Sequence, residues 1–456
     1  MQWGQWLVSV TGGVSVATII GLARAAWVRR QVPKALSRAV ARRSYLAEVL
    51  SISQRSDVQR LEAFVPNLVP AAGVKVLEEV QTAWKGINGR IGVQVITQES
   101  EDCLKAGAEL LSNGIETRVA RSLNTDDLSY HVFSGGGHHT VLNHKENGRD
   151  HPNRLNGFSP AKVFQTHFQD VWSTSVPLES VLAEQLLNGL RRAGDRAEIS
   201  ERFRDLRSKY ALDAAAEEAV LRHVAFRHSS PVVFITGLPG AGKSLVRRRL
   251  AQKLTSLRFQ VDQLNDYIYA YHDFMHAVMM LDEDCGQGFT AEHGGAFKVS
   301  REEDLRPALV SLAKRVWQNK GQTPITLVEF ARTDVVHALK VFGAEVLENS
   351  QIIYVQASNE VRSTRLESRA QPPRIDVTAP GISITVSDDH RLPSVIAKSM
   401  YLADDFSRVR VHEGVANRVH AIDNEIDDPT HARVDEKLDG FIEDVIRPYK
   451  TLSSAN

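Results

Sequence analysis

The chain has 456 residues, which is too long for one ordinary hydrophobic core and sufficient for two or three domains. Apolar residues make up 43% and charged residues 24%, a composition that excludes a largely disordered chain. The 55 lysines and arginines balance 55 acidic residues, so net charge gives no strong signal for nucleic acid, and two lone cysteines exclude a disulfide framework.

The first segment of the chain is apolar and carries no charged side chain before Arg24. As a helix it would cross the roughly 30 Å hydrocarbon layer of a membrane. Trp3, Trp6 and Trp27 lie near its two ends, where indole rings favour the headgroup region. Only basic residues carry charge between this segment and Glu48, so the positive-inside rule puts the following chain in the cytoplasm.

Residues 1–30 are therefore predicted to be a transmembrane anchor that crosses the bilayer through residues 3–23, with the bulk of the chain cytoplasmic. The alternative is a buried or partner-binding helix, because serine, threonine and glycine lower the hydrophobicity of the segment. Gly12 and Gly13 could let two spans pack closely, which leaves a homo-oligomer open.

Residues 31–229 are predicted to form a smaller α+β domain. Its predicted strands are 91–97, 116–121, 129–133 and 139–142, and its predicted helices include 99–111 and about 161–190. This order of strand, helix, strand, hairpin and long helix resembles half of a phospholipase D-like domain, with Phe164, Phe168 and Trp172 in the last helix.

The catalytic pattern of the phospholipase D-like family, a histidine and a lysine two positions apart, is missing from this region. Phe133 stands two positions after His131, and His144 directly precedes Lys145. The resemblance therefore implies a non-catalytic domain that acts as a sensor or docking module.

Five histidines crowd the predicted hairpin: His131, His138, His139, His144 and His151. A metal site would require three or four of them to converge, with further groups to orient them. Their spacing does not demand that convergence. We therefore predict solvated side chains on a glycine-flanked hairpin, with metal binding as the alternative.

The strongest motif of the chain directly follows a short apolar run, 231–236, that predicts a buried strand. The motif has the pattern G-x-x-x-x-G-K-[ST] and consists of Gly237, Leu238, Pro239, Gly240, Ala241, Gly242, Lys243 and Ser244. Its glycines let the backbone curl so that amides point at phosphate oxygens, and the helix predicted after it adds its N-terminal dipole. Lys243 supplies positive charge for the β- and γ-phosphates, and the Ser244 hydroxyl completes the Mg²⁺ shell. The motif predicts binding of a nucleoside triphosphate, with ATP and Mg²⁺ as cofactors.

A second predicted strand, 259–266, ends in Asp266. In a parallel sheet this end of the strand lies beside the loop formed by the Gly237–Ser244 motif, where ligands collect. Asp266 could accept the proton of an acceptor hydroxyl or hold the metal through water. The alternative is a helix N-cap, because a helical pattern begins directly after it.

A third predicted strand, 324–332, contains Glu329 and Arg332. Glu329 is the candidate acid that orients Mg²⁺ or an attacking group. Arg332 could reach an anionic substrate or an acceptor phosphate. The alternative for Arg332 is a surface ion pair with Asp334.

The helix predicted at 360–369 follows a fourth strand and carries Arg362, Arg365 and Arg369 on one face. Three guanidinium groups on one face suit a lid that closes over phosphates and neutralises charge in the transition state. The alternative is a solvated basic face, partly offset by neighbouring glutamates.

These features make residues 230–450 resemble the P-loop nucleotide and nucleoside kinase-like superfamily, nearest to its adenylylsulfate kinase, polynucleotide kinase and zeta-toxin groups. The resemblance implies that Lys243 and Ser244 hold ATP and Mg²⁺, that Asp266 activates the acceptor, and that the three arginines form a lid. Residues 230–456 are accordingly predicted to be an α/β P-loop kinase-like domain, with a parallel sheet flanked by helices.

The sequence as a whole predicts a membrane-anchored, ATP-dependent phosphotransferase acting on a small molecule, such as a nucleotide or nucleoside. It does not specify the acceptor. The alternative is a regulatory switch in which nucleotide binding controls the 31–229 domain, because an ordinary metabolic kinase needs neither that domain nor an anchor.

Overall fold

The computed structural model describes residues 37–39, 45–71, 74–121, 128–146, 149–188, 196–280, 288–291, 297–299, 301–319, 325–368, 375–378, 383–386, 404–426 and 428–454. The chain divides into two compact units, Met1–Leu221 together with Leu452–Asn456, and Arg222–Thr451. The predicted membrane anchor at residues 1–30 lies outside the described residues. Among the helices that are described, none is both long and apolar enough to cross a bilayer.

Within the described ranges, the first unit is built around one mixed sheet of eight strands. The strands are β1 (Ser37–Ala39), β2 (Val58–Phe64), β3 (Val93–Gln98), β4 (Glu116–Ala120), β5 (Leu128–Gly135), β6 (His139–Glu146), β7 (Arg149–Asn156) and β8 (Val176–Pro177). The helices are α1 (Tyr45–Ser53), α2 (Lys75–Asn88), α3 (Glu101–Ser112), α4 (Phe158–Thr174), α5 (Leu178–Leu187), α6 (Arg196–Tyr210) and α7 (Ala214–Ser229), the last of which contains the boundary between the units.

The strand order of this sheet is β1-β7-β6-β5-β2-β3-β4-β8. Strands β2, β3 and β4 are parallel, and the other pairings are antiparallel. Each face of the sheet carries its own apolar core, because successive side chains of a strand point to opposite faces. On β5, Phe133 joins the core that includes Trp84 of α2, whereas Tyr130 joins the core that includes Phe168 of α4.

Two predictions made for the first unit are wrong. The long helix predicted over about 161–190 is wrong as one element, because the chain leaves the helix after Thr174, pairs briefly as β8 and begins α5 at Leu178. Pro177 at this point lacks the amide hydrogen that a continuous helix would need.

The prediction of solvated histidine side chains on the hairpin is also wrong for His131. This residue is buried, and its Nδ1 lies 2.5 Å from the hydroxyl of Tyr45. Among the described residues, no three histidine, cysteine or acidic side chains are placed to hold a metal ion.

The second unit contains the predicted parallel sheet. Its strands in chain order are β9 (Val232–Thr236), β10 (Val261–Asn265), the hairpin β11 (Phe289–Ala291) and β12 (Phe297–Val299), β13 (Ile325–Glu329), β14 (Ser350–Gln356), the hairpin β15 (Ile375–Thr378) and β16 (Ser383–Val386), and β17 (Val419–Asp423). Among the described residues, its helices are α8 (Lys243–Ser256), α9 (Asp266–Met280), α10 (Arg306–Asn319), α11 (Val335–Lys340), α12 (Ala344–Leu347), α13 (Asn359–Ser368), α14 (Phe406–Val411) and α15 (Ala432–Ser454), the last three residues of which belong to the first unit, and there are 3₁₀ turns at Glu302–Leu305 and Ala416–Arg418.

The main sheet of the second unit has the order β10-β13-β9-β14-β17, and all of its pairings are parallel. The parallel α/β class predicted for this part of the chain is confirmed. The first strand, β9, lies in the middle, so the chain leaves it toward one side and later returns to its other side. Such a reversal of strand order creates a crevice at the carboxyl ends of the central strands, where ligands of open α/β sheets bind.

A buried histidine of the second unit makes its stability depend on pH. His223 of α7 stacks on Phe259 with ring centroids 4.2 Å apart, and burial, together with nearby arginines, lowers its pKa to about 3. The unfolded chain binds a proton below the ordinary histidine pKa of about 6.5, while the folded chain does not, so stability falls as the pH drops from 6.5 toward 3.

We expect His223→Phe, which keeps the aromatic stack, to remove about 1.4 kcal/mol of the loss in unfolding free energy between pH 7.5 and 5.5. Urea unfolding of the variant and the wild type at the two pH values measures this difference. His272→Gln is the control, because that side chain is largely exposed. Equal pH dependence in His223→Phe and the wild type would contradict the prediction.

Candidate functional site

The predicted phosphate loop, residues 237–242, joins β9 to α8 at the carboxyl end of the central strand. Gly237 and Gly240 have φ values of +137° and +82°, which residues with side chains rarely adopt. A Cβ at Gly237 would collide with the carbonyl oxygen of Val355 in β14, and one at Gly240 would lie 2.6 Å from the carbonyl oxygen of Arg362. The glycines are therefore needed both for the curl of the loop and for its close packing against neighbouring backbone.

Lys243 is the first residue of α8, and its side chain lies over the loop. The residue is 8% exposed, and its Nζ donates a hydrogen bond to the carbonyl oxygen of Leu238 at 3.1 Å. The unbonded amides at a helix N-terminus attract anions through their partial positive charge. The loop thus combines these amides with one ammonium group, which suits a polyphosphate.

Glu329 ends β13, the strand that lies between β9 and β10 in the sheet. Ser244 Oγ donates a hydrogen bond to Glu329 Oε1 at 2.8 Å, and Arg247 Nε lies 3.0 Å from Oε2. Hydroxyl and carboxylate oxygens are the hard donors that Mg²⁺ prefers. Ser244 and Glu329 are therefore brought together in a way that fits the predicted ion.

Asp266 and Arg332 form a second group at the same end of the sheet, in which Arg332 is buried and Asp266 is half-buried. Arg332 is 5% exposed and its Nη1 donates to Asp266 Oδ2 at 2.5 Å, while Nη2 donates to the carbonyl oxygen of Leu305 at 3.0 Å. Both terminal nitrogens of the guanidinium, Nη1 and Nη2, are thus bonded to protein oxygens. This geometry indicates that Arg332 positions the Asp266 carboxylate, and it does not support the prediction that the Arg332 side chain contacts an anionic substrate.

The alternatives weighed for these two residues are both wrong. The side chain that caps α9 is Asn265, whose Oδ1 accepts from the amide of Ile268 at 3.1 Å. Asp334 pairs with Arg408 at 3.2 Å and accepts from the amide of His337 at 2.9 Å, so it caps α11 and is no partner of Arg332.

The arginines predicted on one face of the 360–369 helix do not share one environment in the structure. Arg362 is buried, and its guanidinium donates to the carbonyl oxygen of Ala357 at 3.2 Å and to Asn359 Oδ1 at 3.3 Å. It therefore secures the start of α13, because its side chain folds back over the first turn. Arg365 lines a cavity beside the phosphate loop. Arg369 lies outside the described residues.

The cavity has a volume of about 620 Å³. It is lined by Gly242, Leu245, Arg365, Asp423, Asn424, Glu425, Ile426, Asp428, Pro429, His431, Arg433 and Val434. Gly242 is the last residue of the 237–242 loop, so the cavity adjoins that loop. Its size lies within the range of small-molecule pockets.

Sequence reasoning missed several residues of this region. Asn424, directly after β17, is buried, and its Nδ2 donates to the carbonyl oxygen of Ala241 at 2.8 Å, which fixes the loop from outside. Glu425 Oε2 accepts from the amide of Ser358 at 2.6 Å and joins β17 to the chain before α13. The available signal was a run of polar residues directly after a strand end. Arg247 was missed as well, although it stands one helical turn after Ser244.

Comparison with known proteins gives fold likenesses of limited extent. No protein-family model and no curated protein sequence matches the chain. Solved structures that match in part include Nuc, a phospholipase D family member from Salmonella typhimurium, with 14% identity over 31% of this chain and 95% of that one and a TM-score of 0.25. A gluconokinase from Sinorhizobium meliloti 1021 matches with 15% identity over 49% of this chain and 97% of its own, at a TM-score of 0.31. A shikimate kinase from Acinetobacter baumannii matches with 13% identity over 49% of this chain and 97% of its own, at a TM-score of 0.27. Because these TM-scores are low, the function of this chain is inferred from its own residues.

Proposed function

We propose that the second unit is a phosphotransferase that uses a nucleoside triphosphate and Mg²⁺, with ATP as the expected donor, and phosphorylates a hydroxyl group of a small molecule. The observation that carries the proposal is the convergence of three groups at the carboxyl ends of adjacent parallel strands. The phosphate loop follows β9, Glu329 ends β13 and Asp266 follows β10.

Each group has a distinct task in this proposal. The loop amides and Lys243 bind the triphosphate and orient its terminal phosphate. Ser244 and Glu329 would hold Mg²⁺, which supplies neutralisation of phosphate charge when bound. Asp266, held in place by Arg332, accepts the proton of the attacking hydroxyl.

The cavity beside Gly242 would take the nucleoside part of the donor. It adjoins the phosphate loop, and Arg365 on its wall could stack on a base or pair with a phosphate. An anchor at residues 1–30 and a sensor role for the first unit stay predictions from the sequence.

The test is phosphate transfer by the full chain from γ-labelled ATP, with Mg²⁺, to panels of polyols, nucleosides and nucleotides. We expect at least one acceptor to become labelled in a reaction that EDTA stops. Consumption of ATP at one slow rate with every acceptor, with no labelled product, would contradict the proposal. Absence of ATP and GTP binding by calorimetry would contradict it more fundamentally.

A further inference from the structure

Three consecutive arginines, Arg247, Arg248 and Arg249, follow the phosphate loop on α8, and the helix gives each a different environment. Arg247 is buried at 7% exposure, whereas Arg248 is exposed and Arg249 pairs with Asp435 of α15. Residues three apart share a helix face, so Arg247 lies on the same face as Ser244. Of the three, Arg247 is therefore the one turned toward the sheet edge at β13.

Ser244 and Arg247 hold the same carboxylate from one helix, but through different oxygens. Ser244 Oγ is 2.8 Å from Glu329 Oε1, and Arg247 Nε is 3.0 Å from Oε2. The hydrogen bond from Ser244 and the ion pair with Arg247 together favour one rotation of the carboxylate plane about its side chain. One oxygen is thereby presented to the Ser244 hydroxyl while the other is occupied by the guanidinium.

Stability alone gives a poor reason for this ion pair. The side chains of Arg247 and Glu329 are 9% and 11% exposed, and removing two charges from water costs about as much as their attraction returns. An apolar pair of similar size would serve packing equally well. A pair of this kind at the edge of the phosphate loop instead suits the orientation of a ligand group.

We infer that Arg247 is a positioning residue, which orients the Glu329 carboxylate so that Oε1, together with the Ser244 hydroxyl, faces the divalent cation of the bound nucleotide. The inference rests on the proposed function. Groups that orient metal ligands typically change metal affinity ten- to hundredfold when they are removed. Arg247 should therefore affect the requirement for Mg²⁺ and leave metal-free binding of nucleotide unchanged.

The test measures binding of a fluorescent ATP analogue to the full chain, in EDTA and along a Mg²⁺ titration. We expect Arg247→Met to raise the half-saturating Mg²⁺ concentration about ten- to hundredfold. The affinity of this variant for the ATP analogue in EDTA should stay within about twofold of the wild-type value. Arg247→Lys, which retains the charge, should stay within about threefold of the wild type. Arg248→Met and Arg249→Met, the matched controls, should resemble the wild type.

A double-mutant comparison tests whether Arg247 acts through Glu329. Adding Arg247→Met to a Glu329→Gln background should cause no further increase in the Mg²⁺ requirement. That comparison also remains available if Arg247→Met alone does not fold, because the double variant leaves no unpaired buried charge. A further increase, or a wild-type Mg²⁺ requirement in Arg247→Met, overturns the inference. If the wild type shows no Mg²⁺-dependent binding of the ATP analogue, both this inference and the proposed function are wrong.

Discussion

Replacing Lys243 by methionine is expected to weaken ATP binding and phosphate transfer at least about a hundredfold, because it removes the ammonium group beside the phosphate loop. Methionine has a similar length, so the packing of the first turn of α8 should survive. The hydrogen bond from Nζ to the carbonyl oxygen of Leu238 is also lost, but one such bond contributes only about 0.5–1.5 kcal/mol to stability. Calorimetric titration with ATP and Mg²⁺ measures the binding, and circular dichroism checks the fold.

Lys253→Met provides a matched control on the same helix. Lys253 is ion-paired with Asp439 of α15 at 2.7 Å, and Asp439 is largely exposed. Pairs of this kind contribute about 0–1 kcal/mol, so ATP binding in this variant should stay close to that of the wild type. If Lys243→Met binds ATP as the wild type does, or if both variants lose binding equally, the role given to Lys243 is wrong.

The phosphate loop could be predicted because its determinants are contiguous. Eight neighbouring residues contain the glycines, the lysine and the serine, and the flanking apolar run and helical pattern identify the strand and the helix. The ends of β10 and β13 could be predicted for a related reason. In a parallel sheet, a carboxylate at the carboxyl end of a strand lies at the same edge of the sheet as the other carboxyl ends, whatever the order of the strands.

Contacts between distant segments could not be predicted in the same way. The sequence places Asp266 and Arg332 far apart, and the choice between Asp334 and Asp266 as the partner of Arg332 depends on where β10 lies in the sheet. Arg362 has the spacing of a lid residue, but the backbone before α13 supplies the acceptors that bury it. Periodicity shows which residues share a helix face but not what that face contacts.

Strand β7 shows a similar limit in the first unit. Its residues are mostly polar and include Pro152, so neither alternation nor β propensity indicates a strand. The segment is extended because β6 and β1 pair with its two edges. Tertiary pairing there decides the structure against local preference.

Replacing Asp266 by asparagine is expected to lower the rate of phosphate transfer about 10²- to 10⁴-fold, because the amide cannot accept the proton of the attacking hydroxyl. Asparagine has the same shape, and its Oδ1 can still accept a hydrogen bond from Arg332 Nη1. The loss should therefore appear in kcat, whereas ATP binding should stay near the wild-type value, since Asp266 lies outside the phosphate loop.

Asp334→Asn is the control for this substitution, because Asp334 is an aspartate of the same unit that caps α11 and pairs with Arg408. Asparagine caps a helix about as well as aspartate, so kcat should change little. Rates from γ-labelled ATP and affinities from calorimetry, measured on both variants, separate the proton-accepting role from a structural one. A wild-type kcat in Asp266→Asn would show that the hydroxyl loses its proton elsewhere. An equal loss of ATP binding would instead mean that the ion pair with Arg332 supports the phosphate loop, because a residue that only accepts a proton has no effect on the affinity for the donor.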